Sequence, residues 1–307
     1  MRKFRFVLLF IILAGGVLAG YHIFHGKLYT PFDSTLAPVF QLVGSTTSAM
    51  SRALTKVIPV DALDEKEFGD AIALRFGNRD TIDDPRHRYV NNLMGSIARY
   101  RKKPFEYRVF VIENPSPNAC AFPGGVILVT EGLLRVMVSE AEVVSVLAHE
   151  MGHVELSHCL DTVRFQLLAQ KVGSAEMGKL ADIAVAILAR HTYSKTQEDE
   201  ADSYAWGMML NTAYNPSALG GAFAKLLSYG EISHGTAYGE KADPLREYLM
   251  THPHMALRRE KYSERARIWW NGNPEARKYD GVRNLKKLKA FSAGITFPEE
   301  WVIRDRG

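Results

Sequence analysis

The pattern of apolar and polar positions predicts a chain built mainly of helices, with a few short strands between them. Apolar residues recur at helical spacing between 90 and 97, directly after Asp84-Pro85, which is a helix-start signal. Two runs rich in β-branched and aromatic residues, 107–112 (YRVFVI) and 126–130 (VILVT), predict strands. We therefore expect an α+β fold in which a small antiparallel sheet packs against a mostly helical body.

A second group of helices is predicted in the middle and the last third of the chain. The segment Ser139-Glu140-Ala141-Glu142 has the form of a capping box, and the residues after it are strongly apolar. Helical patterning is also present over the ranges 174–189, 196–210, 216–229 and from about 254 to 270. The apolar helix that begins near Ser139 also contains a pair of histidines four residues apart.

The first 25 residues have the composition of a segment directed to a membrane. Arg2, Lys3 and Arg5 precede an almost wholly apolar stretch from 6 to 24. At about 1.5 Å per residue, this stretch would just cross a bilayer core as a helix. It fits an N-terminal membrane anchor and a signal peptide cleaved near Ala19 equally well. Both alternatives export the rest of the chain, because the cationic end stays on the cytoplasmic side.

Composition excludes several classes of function. The chain has 307 residues, of which 47% are hydrophobic and 23% are charged, as in ordinary globular proteins. The net charge of +4 is small, and the basic runs at 99–103 and 286–289 lack an aromatic stacking pattern, so we expect no nucleic-acid partner. Two cysteines, Cys120 and Cys159, are too few for a disulfide-dense scaffold or a Cys-rich zinc finger. One disulfide and two buried thiols both stay possible.

The helix after Ser139 contains the sequence His149-Glu150-Met151-Gly152-His153, which is an HExxH motif. Two histidines four apart project from the same face of a helix and can bind one zinc ion through their imidazole nitrogens. A glutamate directly after the first histidine can take a proton from the water that zinc activates and pass it to a leaving amine. The motif therefore indicates zinc-dependent hydrolysis of a peptide bond.

A catalytic zinc needs a third protein ligand. The metzincin spacing would place glycine at 156 and histidine at 159, where this chain has Leu156 and Cys159. His158 is five residues beyond His153, too far round the helix to face the same metal, and we expect it to be exposed or locally bonded. We therefore expect the third ligand to come from another helix.

An acidic cluster at 198–202 is a candidate source of that ligand. Glu198 and Asp202 lie four apart and share a helix face, so one can bind zinc while the other holds the second nitrogen of a ligating histidine. An acidic helix start, favoured by the helix dipole, is the competing interpretation of the same residues. These residues alone do not decide which carboxylate binds the metal.

Four segments, in the same order along the chain, resemble the HtpX-like zinc metallopeptidases, the forty-eighth metallopeptidase family. They are the stretch 118–125 (NACAFPGG) with the VILVTEGLL that follows, the HEMGH motif, Tyr193-Ser194-Lys195 with the acidic cluster, and Thr251-His252-Pro253 with Arg258. The resemblance runs from about 62 to 258. It is closest to the branch of the family that has a single signal segment.

The resemblance implies a complete set of site residues. His149, His153 and Glu198 would bind one zinc ion per chain, Glu150 would be the base, and Asp202 would support a ligand histidine. His252 would stabilise the oxyanion or cover the zinc in a resting state. Arg258 would lie near the cleft and contact the substrate. The segment Asn118, Ala119, Cys120, Ala121, Phe122, Pro123 and Gly124 would form an edge strand beside the active-site helix and pair with an extended substrate backbone.

Three positions depart from the family pattern. Cys120 replaces the usual aromatic residue, Ala205 stands where glycine is common, and Lys195 replaces a frequent arginine. None of these substitutions removes a metal ligand or the base.

The expected organisation is a signal peptide or anchor over 1–25, a linker over 26–60, a zinc metalloprotease domain over 61–270 and a basic C-terminal tail over 271–307. The resemblance implies an endopeptidase that acts on unfolded or misassembled exported proteins in quality control. It would work on the periplasmic side, secreted or held at the inner membrane by an uncleaved N-terminal segment. The alternative is a metal-gated, chaperone-like binding protein that keeps the protease fold. A zinc hydrolase for a non-peptide amide is disfavoured by the predicted edge strand.

Overall fold

The computed structural model describes residues 61–77, 83–171, 177–189, 191–235 and 252–303. The expected signal or anchor segment, the linker and Thr251 lie outside these residues. Among the described residues, no helix is both long and apolar enough to cross a membrane.

The helices are α1 (Ala62–Ala73), α2 (Pro85–Ala98), α3 (Glu131–Val136), α4 (Glu140–Glu155), α5 (His158–Lys171), α6 (Met177–Leu188), α7 (Lys195–Asn211), α8 (Ser217–Gly235), α9 (Met255–Gly272) and α10 (Val282–Lys287). The strands are β1 (Arg108–Ile112), β2 (Ala119–Phe122), β3 (Val126–Thr130), β4 (Arg277–Tyr279) and β5 (Trp301–Ile303).

Local capping signals explain where the helices that carry the site begin. Ser139 precedes α4, and its side chain accepts a hydrogen bond from the backbone N–H of Glu142. Ser194 precedes α7 and forms a full capping box with Gln197. Each cap satisfies backbone donors that would otherwise lack a partner at the first turn. The predicted helix start at Ser139 is therefore confirmed.

The three-stranded sheet is mixed, with strand order β1-β3-β2. β2 and β3 form an antiparallel hairpin, while β1 pairs with β3 in parallel, with Arg108 opposite Val126. The sequence analysis expected an antiparallel sheet. The parallel pair arises because the chain leaves β1, crosses to the far side of β3 as β2, and only then returns. The predicted α+β, mostly helical class is confirmed, and β2 is an edge strand.

A tight turn at Pro123–Gly125 joins β2 to β3. Gly124 has φ 73°, and a Cβ atom at this position would come within 2.7 Å of the Glu65 carbonyl oxygen in α1. Only glycine satisfies both the positive φ and this close approach. The turn therefore places α1 directly against the hairpin that borders α4.

Helix α4 lies in the interior of the described fold, since every residue from Glu140 to Val154 is buried. It packs against α7 with very little space between the backbones. A Cβ atom at Gly152 would lie 3.1 Å from the Cα and the carbonyl oxygen of Ala201. This glycine therefore brings α4 and α7 together beside the histidine pair.

The segment 271–307, expected to be a tail, is folded against the helices as far as Ile303. Tyr279 in β4 is fully buried in the main core cluster. The ammonium of buried Lys278 donates hydrogen bonds to the carbonyl oxygens of Leu210 and Thr212, at the C-terminal end of α7. The sequence pattern did not reveal this packing, because both strands are three residues long and the buried Tyr279 of β4 follows two cationic residues.

Candidate metal centre and active site

Four side chains from three parts of the fold meet at one buried point. His149 and His153 come from α4, Glu198 from α7, and His252 from the residues just before α9. One donor atom from each lies within 4.8 Å of all the others. Each of these residues is at most 2% exposed. The spacing of four residues places His149 and His153 on the same face of α4, as predicted, and their Nε2 atoms are 3.1 Å apart.

The donor set fits a divalent cation such as zinc. The Nε2 atoms of both motif histidines face each other and the Glu198 carboxylate, which lies 3.4 Å from the His153 Nε2. Burial lowers the pKa of His153 well below its ordinary value, which keeps the ring neutral and its lone pair available. Such buried acceptor atoms cannot satisfy one another, whereas zinc binds nitrogen and carboxylate oxygen together.

The charge of the site leads to the same conclusion. Three buried carboxylates, on Glu150, Glu198 and Asp202, face one buried guanidinium, on Arg258. Even with a protonated His252 imidazole, these carboxylates outnumber the cationic side chains, and negative charge is left in excess within a space closed to solvent. A bound cation would compensate this excess, which is costly to leave in a low-dielectric interior.

Asp202 lies where a support for a ligand histidine is needed. Its Oδ1 atom is 2.9 Å from the Nδ1 of His149, on the side of the ring away from the cluster. Burial would raise the pKa of Asp202, but its contacts with His149 and Arg258 outweigh burial and lower it. The carboxylate therefore stays ionised and can fix the orientation of the His149 ring.

Arg258 takes a different place from the one expected for a substrate contact. Its guanidinium bonds to Asp202, at 2.7 and 2.8 Å, and its Nη1 atom is 2.5 Å from Glu198 Oε2. The residue is only 4% exposed. Because two carboxylates occupy the guanidinium, Arg258 holds the acidic residues of α7 rather than facing a cleft.

Glu150 combines complete burial with an absence of hydrogen-bond partners. It is 0% exposed, and neither of its carboxylate oxygens has a hydrogen-bond partner among the described residues. The His252 Nε2 atom is 3.7 Å from its Oε1. A buried carboxylate in this state is destabilising unless something else binds it, so it is well suited to accept a proton from a bound molecule.

His252 lies inside the donor set rather than at its rim. Its Nδ1 atom is 3.0 Å from Glu198 Oε1 and 3.4 Å from the His149 Nε2. Burial would lower the pKa of His252, but the Glu198 and Glu150 carboxylates outweigh burial and raise it. His252 is thus the fourth donor residue of the cluster.

The predicted substrate segment borders α4, although most of its side chains point into the core. Ala119, Ala121 and Phe122 are buried, as are Pro123 and Gly124, and only Asn118 and Cys120 are partly exposed. Any contact with a substrate strand would therefore use backbone groups.

The end of α6 lies close to this strand, since Cys120 Sγ is 3.6 Å from the Leu188 carbonyl oxygen. Cys120 and Cys159 are not joined in a disulfide.

His158 and Tyr193 contact His153, one of the four donor residues, and these contacts were not predicted from the sequence. His158 Nδ1 is 3.1 Å from His153 Nδ1, and the Tyr193 ring stacks on the His153 imidazole with a centroid distance of 3.9 Å. Helical spacing alone did not predict the contact between His158 and His153, because α4 ends at Glu155 and Ser157 takes a left-handed φ of 65°. The chain turns there and brings His158 back as the first residue of α5. His158 is buried and locally bonded, which was one of the two alternatives predicted for this residue.

The cation site, the carboxylate beside it and the neighbouring sheet edge are the parts that a metalloendopeptidase needs, and this is the class of the protein. Comparison with known proteins gives the family. The sequence model of Peptidase family M48 matches residues 83–266. That match covers more than half of the chain, and the chain belongs to this family.

Curated relatives agree with this assignment. The mitochondrial metalloendopeptidase OMA1 of Arabidopsis thaliana is 30% identical over 151 residues, 48% of this chain and 29% of the relative. A putative beta-barrel assembly-enhancing protease of Vibrio cholerae is 28% identical over 221 residues, 65% of this chain and 43% of the relative. Metalloprotease YcaL of Escherichia coli is 25% identical over 239 residues, 72% of this chain and 86% of the relative. The chain thus spans less than half the length of the first two relatives.

Proposed function

We propose that the chain is a zinc-dependent endopeptidase that hydrolyses peptide bonds of exported or envelope proteins as part of protein quality control. The observation that carries the proposal is the buried donor set of His149, His153 and Glu198 beside a carboxylate, Glu150, that has no hydrogen-bond partner among the described residues. Membership of a metallopeptidase family supports the same reaction.

Each residue of the site has a separate task in the reaction. A zinc ion, when bound, lowers the pKa of a water molecule and polarises the carbonyl of the scissile peptide. His149, His153 and Glu198 would hold it. Glu150 takes the proton of the attacking water and delivers it to the departing amine nitrogen. Asp202 orients the His149 ring.

The proposed substrate is an extended polypeptide. β2 is an edge strand, and it pairs with β3 on one side only within the described sheet. An extended chain can add to such an edge through main-chain hydrogen bonds, which depend little on the substrate sequence. A protease that removes unfolded or misassembled proteins needs that breadth of recognition.

The proposed location is the periplasmic side of the cell envelope, with the chain either secreted or held at the inner membrane by an uncleaved N-terminal segment. The apolar stretch at 6–24 supports export. Relatives named for beta-barrel assembly in Vibrio cholerae and Escherichia coli support an envelope substrate.

The closed state of the site favours a second candidate function, a gated protein that binds polypeptides but rarely cleaves them. The four donor residues and Glu150 are all buried. Because His252 lies among the donors, a substrate carbonyl would reach the metal only after that side chain moves. We therefore propose a resting state in which His252 covers the metal site.

The variant Glu150→Gln tests the proposed reaction and separates the two candidates. The amide keeps the shape of the side chain but cannot take a proton, so cleavage of an unfolded protein should fall by at least about 100-fold. Zinc content should stay at one ion per chain. The control is Glu260→Gln, an exposed position on α9, which should cleave like the unchanged protein. Equal cleavage by Glu150→Gln would refute the role of the base, and a zinc-loaded wild type that binds but never cleaves would favour the gated protein.

A further inference from the structure

We infer that His158 and Glu200 are positioning residues that hold the ligand histidine His153 in the orientation needed to bind zinc. The inference rests on the proposed function, because it concerns the metal site proposed there. Neither residue touches the donor atoms of the cluster. Both act through the far side of the His153 ring.

The contacts form a chain from the protein surface to the metal site. Glu200 on α7 is half-exposed, and its Oε2 atom is 3.0 Å from the Nε2 of His158. His158 is 5% exposed, and its Nδ1 atom is 3.1 Å from the Nδ1 of His153. The Nε2 of His153, on the opposite side of the ring, faces His149 and Glu198.

One arrangement of protons satisfies every contact in this chain. If His153 offers its Nε2 lone pair to a metal, its proton is on Nδ1 and is donated to the Nδ1 lone pair of His158. His158 then carries its own proton on Nε2 and donates it to the Glu200 carboxylate. A single carboxylate therefore fixes two successive tautomers and leaves the lone pair of His153 pointing at the cluster.

The two ligand histidines are thus supported in different ways by the same helix. Asp202 on α7 contacts the Nδ1 of His149 directly, at 2.9 Å. Glu200, two residues earlier on α7, reaches His153 only through His158. The Tyr193 ring stacks on the face of His153, at an interplanar angle of 24°. His153 is therefore held at its edge by His158 and at its face by Tyr193, which leaves its ring little freedom to rotate.

Zinc affinity of two His158 variants tests the inference, with metal binding measured by competition against a chromogenic chelator. His158→Leu fills the space but cannot accept a hydrogen bond, and zinc binding should weaken about 10- to 100-fold. His158→Asn places an amide oxygen near the former Nδ1 atom, and affinity should return to within about threefold of the unchanged protein. Asp199→Asn is the matched control, because it removes an adjacent exposed charge of α7 that pairs with Lys261. That control should not change zinc affinity.

Glu200 is tested by the same measurement. Glu200→Ala removes the acceptor for His158 and should weaken zinc binding by less than His158→Leu, because water can reach this half-exposed position. Glu200→Gln keeps an acceptor and should bind zinc more tightly than Glu200→Ala. Thermal unfolding of the zinc-free proteins shows whether each variant folds, and the Asn and Gln variants keep the test decisive if Leu or Ala does not.

The outcomes separate this inference from the proposed function. Wild type that binds no zinc would overturn the proposed function and this inference with it. Wild type that binds zinc, with His158→Leu binding equally well, would overturn the inference alone. Equal weakening by His158→Leu and His158→Asn would also overturn it, because the acceptor atom would then not matter.

Discussion

Single residues in this site depend on one another because burial would make each charge costly alone. Arg258 is the clearest case, since one guanidinium forms ion pairs with both Glu198 and Asp202. In a site that solvent cannot enter, removing one partner leaves the other charge uncompensated. The arginine therefore supports the acidic residues of the candidate metal site, although the family resemblance implied a substrate contact.

Replacing this arginine should destabilise the zinc-free protein more than the zinc-bound protein. Arg258→Met leaves two buried carboxylates without a cation, and the free energy of unfolding should drop by about 3 kcal/mol when no zinc is present. Zinc supplies compensating charge, so saturating zinc should recover part of the loss. Urea unfolding with and without zinc measures both values.

The control for this prediction is Arg267→Met, an exposed position on the same helix that pairs with Glu264. It should unfold like the unchanged protein in both conditions. An equal loss of stability for Arg258→Met with and without zinc would contradict the compensation of charge.

The residue types of the site follow from the sequence, whereas some of their contacts do not. Helical spacing is enough to predict that His149 and His153 share one face of their helix. It also predicts that Glu198 and Asp202 share one face of theirs. The partners of His158 and Arg258 depend on where the chain turns and how separate helices pack. The left-handed backbone conformation at Ser157 involves a single residue, yet it decides which side of His153 the next histidine reaches.

At the scale of elements, the active-site helix α4 is held at its first turn by the C-terminal segment. The backbone N–H groups of Glu140 and Ala141 donate to the carbonyl oxygens of Gly281 and Asp280. The Glu140 carboxylate accepts hydrogen bonds from Tyr89 and Tyr214 and from the backbone of Phe291. The start of the helix is thereby fixed in part by Asp280, Gly281 and Phe291, which lie beyond the match to the family model.

The buried Glu140 should make stability depend on pH in a known direction. Burial raises the pKa of Glu140, and its hydrogen bonds only partly offset this effect. The folded state then binds a proton more readily than the unfolded state. Stability should therefore rise as pH falls from neutral through the folded pKa toward the unfolded value.

Glu140→Gln isolates this effect, since the amide does not titrate. Wild type should gain stability relative to the variant as pH is lowered from 7 toward about 4.5. Urea unfolding at several pH values measures the difference. The exposed Glu67→Gln serves as control and should show no such trend. A difference that stays constant, or that reverses, would refute the raised pKa.

Elements were predicted well where the signal is local. The cap at Ser139 and the strands around the Pro123–Gly125 turn lie in short stretches of sequence, whereas the cap at Ser194 was not predicted. The parallel pairing of β1 with β3 depends on a long-range choice of neighbour, and alternation of side chains does not encode it. The packing of 277–303 also depends on long-range contacts, which are with α2, α4 and the C-terminal end of α7.

At the scale of the whole molecule, the fold gathers residues from distant parts of the sequence into one buried site. Segments around 118–125, 149–153, 198–202 and 252–258 meet at α4. Their order along the chain was enough to indicate the class of enzyme. The described structure extends to Ile303, beyond the segment matched by the family model, and that extension caps both helices that carry metal donors.

Removing zinc and then adding it back is the decisive test of zinc-dependent cleavage by this chain. Cleavage of an unfolded protein is measured for the purified chain, after stripping with a chelator, and during titration with zinc. We predict that stripping abolishes cleavage and that activity returns in proportion to added zinc, reaching its plateau at one ion per chain. Cleavage that continues in the stripped protein, or a protein that binds no zinc, would contradict the account.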